Sequence, residues 1–263
     1  MTEETVEDAI LGGRLRLRQP ARGHRAGTDA VLLAAAIGLT EGVLVDAGAG
    51  VGAVGLAAAL RAPALRLTLI ERDPFTAELA RANVALNGLE ARAQVVEADL
   101  TQARARRAAG LTDGFADMVA TNPPWLAPGQ ARVSPDPRRA AAHAHEEGGG
   151  GLEAWMRAIA ALTRPGGRLA LIHRADHLEE ALGACAGRFG ALSVLPIHPR
   201  AGEAAHRIIV RGIKGSRAPL RILPGLMLHV GAGFTPLVEA LHRGEAVLGE
   251  GRGPKRQSDP LAI

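Results

Sequence analysis

The sequence predicts an α/β fold built on an open, mostly parallel sheet, with helices on both faces and an antiparallel pair of strands at one edge. Two patterns carry the prediction. Short apolar runs at 43–46, 67–71, 91–96, 117–121 and 168–172 alternate with stretches of helical periodicity, an order that calls for parallel strands joined by right-handed crossovers. Two further runs, 192–197 and 207–213, follow one another with no helix between them, only a connection holding Pro199, Gly202 and Glu203. A link of that length suits antiparallel neighbours.

The 263 residues, 47% of them hydrophobic, allow one large domain or two small ones with a substantial core. No repeat or linker divides them. We therefore expect a lead-in at 1–40, one sheet domain at 41–248 and a basic, disordered tail at 249–263. No apolar run reaches the roughly 18 residues that a membrane helix needs. Residues 1–8 are acidic and polar rather than signal-like, so a cytoplasmic location is the expectation. The single cysteine, Cys185, excludes an internal disulfide and a cysteine-based zinc site, and is expected to be a small core residue. The formal charge is +4, and only two of the 31 basic residues are lysines. Arginine grips phosphate bidentately at any pH, so the balance leans toward RNA or another polyanion. A coding bias that also raises Ala and Gly would give the same excess. Aromatics make up 2% of the chain with no Tyr, so base stacking would fall to Trp125, Trp155, Phe75, Phe115, Phe189, Phe234, His or Arg.

Each element has its own warrant. Arg14, Arg16 and Arg18 alternate with Leu15 and Leu17, which reads as one strand of a hairpin with its leucines inward. Thr28 or Asp29, after Gly27, is expected to cap a helix over 30–37. The backbone N–H groups there could seat an anionic group. The run 43–46 enters Gly48, Gly50 and Gly52 and then the helical residues 54–60, the strand–turn–helix order of nucleotide-cofactor sites. The next strand ends in Glu71, 23 residues after Gly48, where a carboxylate can accept both hydroxyls of a ribose. Pro74 opens a helix expected to turn Phe75, Leu79, Ala82 and Leu86 inward, with Asn87-Gly88 closing it. The third strand closes on Glu97, Ala98 and Asp99.

The fourth strand stops at Asn122-Pro123-Pro124-Trp125. Proline fixes φ, lacks an N–H and keeps the residue before it out of helical space. The result is a stiff elbow at the carboxyl edge of the sheet, where ligands bind in open α/β folds. Residues 126–151 are rich in Pro, Gly, Arg and His without periodicity, a length usual only for functional loops. Arg132, Arg138 and Arg139 there could track phosphates. His143, His145 and Glu146 also lie there, but no metal site is expected. Residues 152–163 form an amphipathic helix with Leu152, Trp155, Ile159 and Leu162 toward the core, and Arg164-Pro-Gly-Gly167 stops it. Helices at 176–187 and 237–242 complete the order.

Gly48, Gly50 and Gly52 with an acid downstream would also suit a dinucleotide-dependent dehydrogenase. Three features weigh against that reading. Asp46 precedes the first glycine by two residues, where a carboxylate repels pyrophosphate but can pair with an ammonium group. Asp99 can bond an adenine amino group. Hydride transfer also has no use for residues 122–125.

Residues 46–52 (Asp-Ala-Gly-Ala-Gly-Val-Gly), Glu71, Asp99 and Asn122-Pro-Pro-Trp125 together resemble the class I S-adenosylmethionine-dependent methyltransferases that modify planar amino groups. The lead-in (24–33) and Ala205-His206-Arg207 are similar to the bacterial valine-tRNA adenine-N6 methyltransferases. The resemblance implies a Rossmann-like, seven-stranded sheet with a reversed last strand and S-adenosylmethionine as methyl donor. It also implies roles. Asp46, Gly48, Gly50 and Gly52 would hold the donor's amino-acid end, Glu71 its ribose and Asp99 its adenine. Gly27, Thr28 and Asp29 would close over the methionine part. The family turn more often ends in Tyr, where this chain has Trp125.

An exocyclic amino nitrogen is a poor nucleophile because its lone pair is delocalised into the ring. The Asn122 oxygen and the Pro123 carbonyl could each accept one amino hydrogen, aiming the lone pair and stabilising the charge that develops. Pro124 would stiffen the turn, and Trp125 could stack on the base for about 1–3 kcal/mol. N6 of an adenine in tRNA is the expected acceptor. A guanine in ribosomal RNA and a glutamine side-chain amide offer the same planar NH2, and a non-catalytic RNA-binding module is the remaining alternative.

Overall fold

The computed structural model describes residues 4–22, 25–123 and 151–249. The expectations placed on Pro124, Trp125, Arg132, Arg138, Arg139, His143, His145 and residues 250–263 lie outside that set. The chain opens with an antiparallel hairpin, β1 (Thr5–Ile10) and β2 (Leu15–Pro20), followed by α1 (Thr28–Ala35). Then come β3 (Glu41–Ala47), α2 (Ala53–Arg61), β4 (Ala64–Glu71), α3 (Pro74–Leu86), β5 (Ala93–Glu97), α4 (Ala103–Ala108) and β6 (Ala116–Thr121). After the undescribed segment follow α5 (Gly151–Leu162), β7 (Thr163–Arg174), α6 (Leu178–Cys185), β8 (Phe189–His198) and β9 (Arg207–Lys214). The two-residue strands β10 (Arg221–Ile222), β11 (Leu226–Met227), β12 (His229–Val230) and β13 (Gly233–Phe234) precede α7 (Pro236–His242).

The main sheet runs β10-β8-β9-β7-β6-β3-β4-β5, and β11 also pairs with β8. Its seven long strands are those expected, and β9 lies antiparallel to both β7 and β8. β10 and β11 enlarge the sheet to nine strands. Each pairs with β8 over only two residues, so the sequence around Pro224 carries no strand periodicity to announce them.

Alternate residues of the strands feed two cores, which is why their sequences run apolar without interruption. Leu44, Leu69, Met118, Ala120 and Ile172 face the core closed by α1, α2 and β2. Val45, Ile70, Val119, Leu169 and Leu171 face the core closed by α5 and α6, which also buries Cys185. Burial pushes the Cys185 thiol up to about 12. Leu15 and Leu17 are fully buried, as the alternation of β2 predicts.

Several boundaries differ from expectation for identifiable reasons. α1 begins at Thr28, and Gly27 occupies the cap position without a side-chain bond, so neither Thr28 nor Asp29 caps it. α3 is capped by Asp73, which accepts from Thr76 N–H, and its buried face is Ala77, Ala80 and Val84 with Leu79. Phe75, Ala82 and Leu86 are only half-buried, because the hairpin covers a different stripe of the helix. α4 was not expected. Its sequence (Ala-Arg-Ala-Arg-Arg-Ala) has no apolar stripe, and it docks through Arg106, whose Nη1 donates to Leu100 O at 2.6 Å. β7 starts directly after α5, and residues 164–167 form an irregularity within it, where pairing to β6 jumps from Ala116↔Thr163 to Met118↔Arg168.

Two asparagines one turn apart on α3 clasp the edge of β2. Asn87 accepts from Arg16 N–H at 3.0 Å and donates to Arg16 O at 2.8 Å. Asn83 does the same with Arg18 at 2.6 and 3.0 Å, and also donates to Val51 O at 2.9 Å in the glycine-rich turn. Asn83 is fully buried. Asn83→Ala should therefore cost about 3 kcal/mol, since three hydrogen bonds go and buried backbone groups lose their partners. Urea unfolding should show the lowered midpoint, and an unchanged midpoint would contradict the clasp.

Candidate active site

β3 and β6 are neighbours, with Ala47 directly opposite Thr121. The glycine-rich turn and the Asn122 elbow therefore leave the sheet side by side at the same height. Thr121 reinforces the pairing, because its hydroxyl donates to Ala47 O at 2.8 Å from a fully buried position.

The turn is held mostly by the end of β4. Gly48 and Ala49 N–H both donate to Ile70 O at 2.9 Å. Gly50 N–H donates to Glu71 Oε2 at 2.9 Å, while Glu71 Oε1 accepts from Arg72 and Asp73 N–H. A pyrophosphate needs free N–H groups at such a turn, and here those of Gly48, Ala49 and Gly50 are taken. This weighs against the dinucleotide reading. Gly55 lets α2 lie close on the sheet, since a Cβ there would sit 2.7 Å from Leu67 Cδ1 and Leu69 Cδ2. At Gly50, by contrast, a Cβ would meet nothing within 4 Å among the described residues, which leave that side of the turn open.

Asp46 lies beneath the turn and is only 1% exposed. Its Oδ2 accepts from Gly55 N–H at 2.8 Å, near the start of α2. The sequence suggested a direct grip on a ligand's ammonium group; in the structure the carboxylate is enclosed and its bond goes to Gly55 of α2. Burial, with the nearby Glu71 charge, pushes its carboxyl up to about 7 despite the Gly55 bond. Asp99 shows the opposite balance. Burial raises it, but its bonds from Thr101 N–H and Oγ1 and from Gln102 Nε2, with Arg72 nearby, hold it below the usual carboxylate range.

At the elbow, Asn122 is half-buried, Pro123 is buried, and the Asn122 Oδ1 atom is buried without a hydrogen-bond partner among the described residues. A buried acceptor left open costs free energy unless something fills it. It is a ready receptor for an N–H donor.

Asp29 is not free to face a ligand alone. Its Oδ2 accepts from Arg207 Nε at 3.0 Å, so two sequence motifs 178 residues apart meet at the carboxyl edge. Gln19, 1% exposed, sets the approach to Gly27: its Oε1 accepts from Ala26 N–H at 2.7 Å and its Nε2 donates to Asp8. Trp155 packs against the second core, as expected, and reaches beyond it to the turn. It is half-buried, its Nε1–H donates to Thr121 Oγ1 at 3.0 Å, and its benzo edge lies 3.0–3.1 Å from where a Gly48 Cβ would be. Nothing in its helical spacing distinguished it from a core residue. The paired asparagines of α3 were a visible signal, being two amides four residues apart on one helix.

Residues 26–150 match the family described as methyltransferase small domain. The solved structure of a predicted O-methyltransferase, protein Atu636 from Agrobacterium tumefaciens, is 38% identical, with a TM-score of 0.71 over 84% of this chain and 98% of that one. The chain belongs to the class I S-adenosylmethionine-dependent methyltransferases. Among curated proteins it is 35% identical to tRNA1(Val) (adenine(37)-N6)-methyltransferase of Porphyromonas gingivalis over 59% of its length. It is likewise 35% identical, over 60% of its length, to 4-amino-L-phenylalanine/4-methylamino-L-phenylalanine methyltransferase of Streptomyces pristinaespiralis. The chain spans less than two thirds of these curated relatives, 61% and 53% respectively.

The buried carboxyl of Asp46 makes a measurable prediction. A carboxyl moved from 3.8 to about 7 by folding favours the native state fully below pH 4, and that contribution is lost as pH rises toward 7. The span corresponds to about 4 kcal/mol between the two protonation states. Asp46→Asn keeps an oxygen for Gly55 N–H but cannot ionise, so its stability relative to the parent should rise between pH 4 and 7. Parallel pH profiles in chemical denaturation would refute the assignment.

Proposed function

We propose that this chain transfers a methyl group from S-adenosylmethionine to the exocyclic amino nitrogen of a nucleobase, N6 of an adenine in tRNA. The observation that carries the reading is the unpartnered, buried Oδ1 of Asn122, one residue beyond a strand end that adjoins the glycine-rich turn. S-adenosylmethionine supplies an electrophilic methyl group when bound.

The residues fit that donor. The side of the turn at Gly50 leaves room for the amino-acid end, with Gly48 and Gly52 shaping the backbone and Asp46, bonded to Gly55, holding α2 behind it. Glu71 takes the ribose and Asp99 the adenine, both carboxylates already fixed by their own hydrogen bonds. The Asn122 oxygen accepts one amino hydrogen and the Pro123 carbonyl the other. Together they turn the lone pair out of conjugation and stabilise the positive charge that forms on nitrogen. The product ammonium is acidic and loses its proton to water, so no strong base is required.

An RNA acceptor is supported by the arginine-rich composition and by the likeness to tRNA1(Val) methyltransferases. The two relatives' names share an amino group on an aromatic ring, which is the feature that Asn122 recognises. A loop nucleotide suits the pocket, because an unstacked base reaches it at small cost. On this reading Trp125 stacks on the base, and Arg132, Arg138 and Arg139 meet its phosphates.

Labelled methyl transfer into separated tRNA, ribosomal RNA and protein fractions tests the acceptor, with label expected in adenine of the tRNA; label confined to protein would reject it. Asn122→Ala should lower turnover by at least a hundredfold, as for loss of one charge-stabilising group, while S-adenosylhomocysteine affinity changes by no more than about threefold. Turnover near that of the parent would sink the proposed role of Asn122.

A further inference from the structure

The contacts of Trp155 go beyond packing. Its indole N–H reaches Thr121, the residue immediately before Asn122. The hydroxyl of Thr121 passes the link to Ala47 O, the residue immediately before Gly48. The benzo edge of the same indole then lies against Gly48 itself, in the space that a side chain at position 48 would occupy. Gly48 holds a φ of +70°, a conformation that a side chain would strain even without the indole there. One side chain therefore touches both loops of the site, the first at its opening glycine and the second through the last residue of its strand.

We propose that Trp155 is a positioning residue for methyl transfer: it braces the glycine-rich turn against the Asn122 elbow, so that the turn is already shaped for the donor and its spacing from the acceptor oxygen is fixed. The inference rests on the assignment of the turn to S-adenosylmethionine made above, and not on the choice of RNA as acceptor.

Three features of the geometry favour this role over a purely structural one. The indole is only half-buried, whereas the core-facing residues Leu152, Met156 and Ile159 of the same helix are buried. Its polar atom is spent on Thr121 rather than on a backbone group of its own helix. Its benzo edge reaches Gly48 of the turn in addition to packing against the second core. A brace of this kind acts on binding and turnover through preorganisation, since a loop already in the bound shape loses less entropy when the ligand arrives. Misplacement by a fraction of an ångström also lowers the rate of an in-line transfer.

S-adenosylhomocysteine binding by calorimetry tests this without any acceptor. Trp155→Phe keeps most of the ring and removes the N–H; Thr121→Val keeps the shape and removes the hydroxyl. Each should weaken binding about tenfold, the scale of one well-placed hydrogen bond. Because both act through one link, the double variant should be no weaker than the poorer single variant. Thr121→Ser should restore affinity to within about twofold. With Trp125→Phe as background, Trp155 is the sole tryptophan, and its emission should change with the calorimetric midpoint. Unchanged affinity in Trp155→Phe, multiplying losses in the double variant, or failure of Thr121→Ser to restore binding would each overturn the proposal. Gly50→Val separates the two readings. It disturbs the turn twice, by a side chain on that face and by straining a φ of +55°, so lost binding there in a variant that still folds, with normal binding in Trp155→Phe, rejects the brace alone. Normal binding in both rejects the assignment of the turn as well.

Discussion

The site depends on the register between β3 and β6. Ala47 stands opposite Thr121, so the glycine-rich turn and the Asn122 elbow begin at one level on adjacent parallel strands. The pairing is stapled at both ends by side chains. At the amino end Asp117 Oδ2 accepts from Val43 N–H at 2.8 Å, while its Oδ1 takes Arg164 Nε at 2.6 Å. Those bonds hold the Asp117 carboxyl below its usual range. At the carboxyl end Thr121 donates to Ala47 O. A slip of one residue would send Val45 and Val119 to the wrong core and Leu44 and Met118 to the other, because side chains alternate between faces. Burial on both faces therefore fixes the height at which the two loops leave the sheet.

The acids around the turn are placed by the same logic, with different consequences. Glu71 ends β4 and Asp99 follows β5 by two residues; Glu71 is oriented by backbone donors and Asp99 by backbone and side-chain donors. Little reorganisation is left for ligand binding, which is the condition under which such groups bind well. Asp46 stands one residue short of its strand end and is enclosed. One hydrogen bond from Gly55 N–H, near the favourable end of α2, offsets only part of the cost of burying it, and its carboxyl is pushed up to about 7.

The lead-in is an integral wall of the site rather than an appendage. Asn83 joins β2 to Val51 of the turn, Gln19 fixes the approach to Gly27, and Arg207 fastens Asp29 to the start of β9. At the other end of the described chain, Arg211 donates to Leu248 O and Gly249 O, while Leu248 N–H donates to Ala35 O. The α1 region is thus held from both termini of the described chain.

Much of this was legible in the sequence, because it arises from patterns only a few residues long. Continuous apolar runs, helical periodicity, glycines at a turn and a proline pair after a strand each constrain the backbone locally. Their order along the chain determined the fold class, the β8–β9 pairing, the glycine-rich turn and the position of Asn122. Local pattern failed where a residue answers to a neighbour that is distant in sequence. Trp155 packs against the second core as its spacing predicts, but its further contacts with Gly48 and Thr121 left no mark in that spacing. Asp46 has the placement of a ligand-facing acid yet bonds Gly55 under the turn. α4 has no apolar stripe and forms around one buried arginine. Periodicity reports which face of an element is apolar; only the packed chain decides what that face, or a polar group within it, comes to touch.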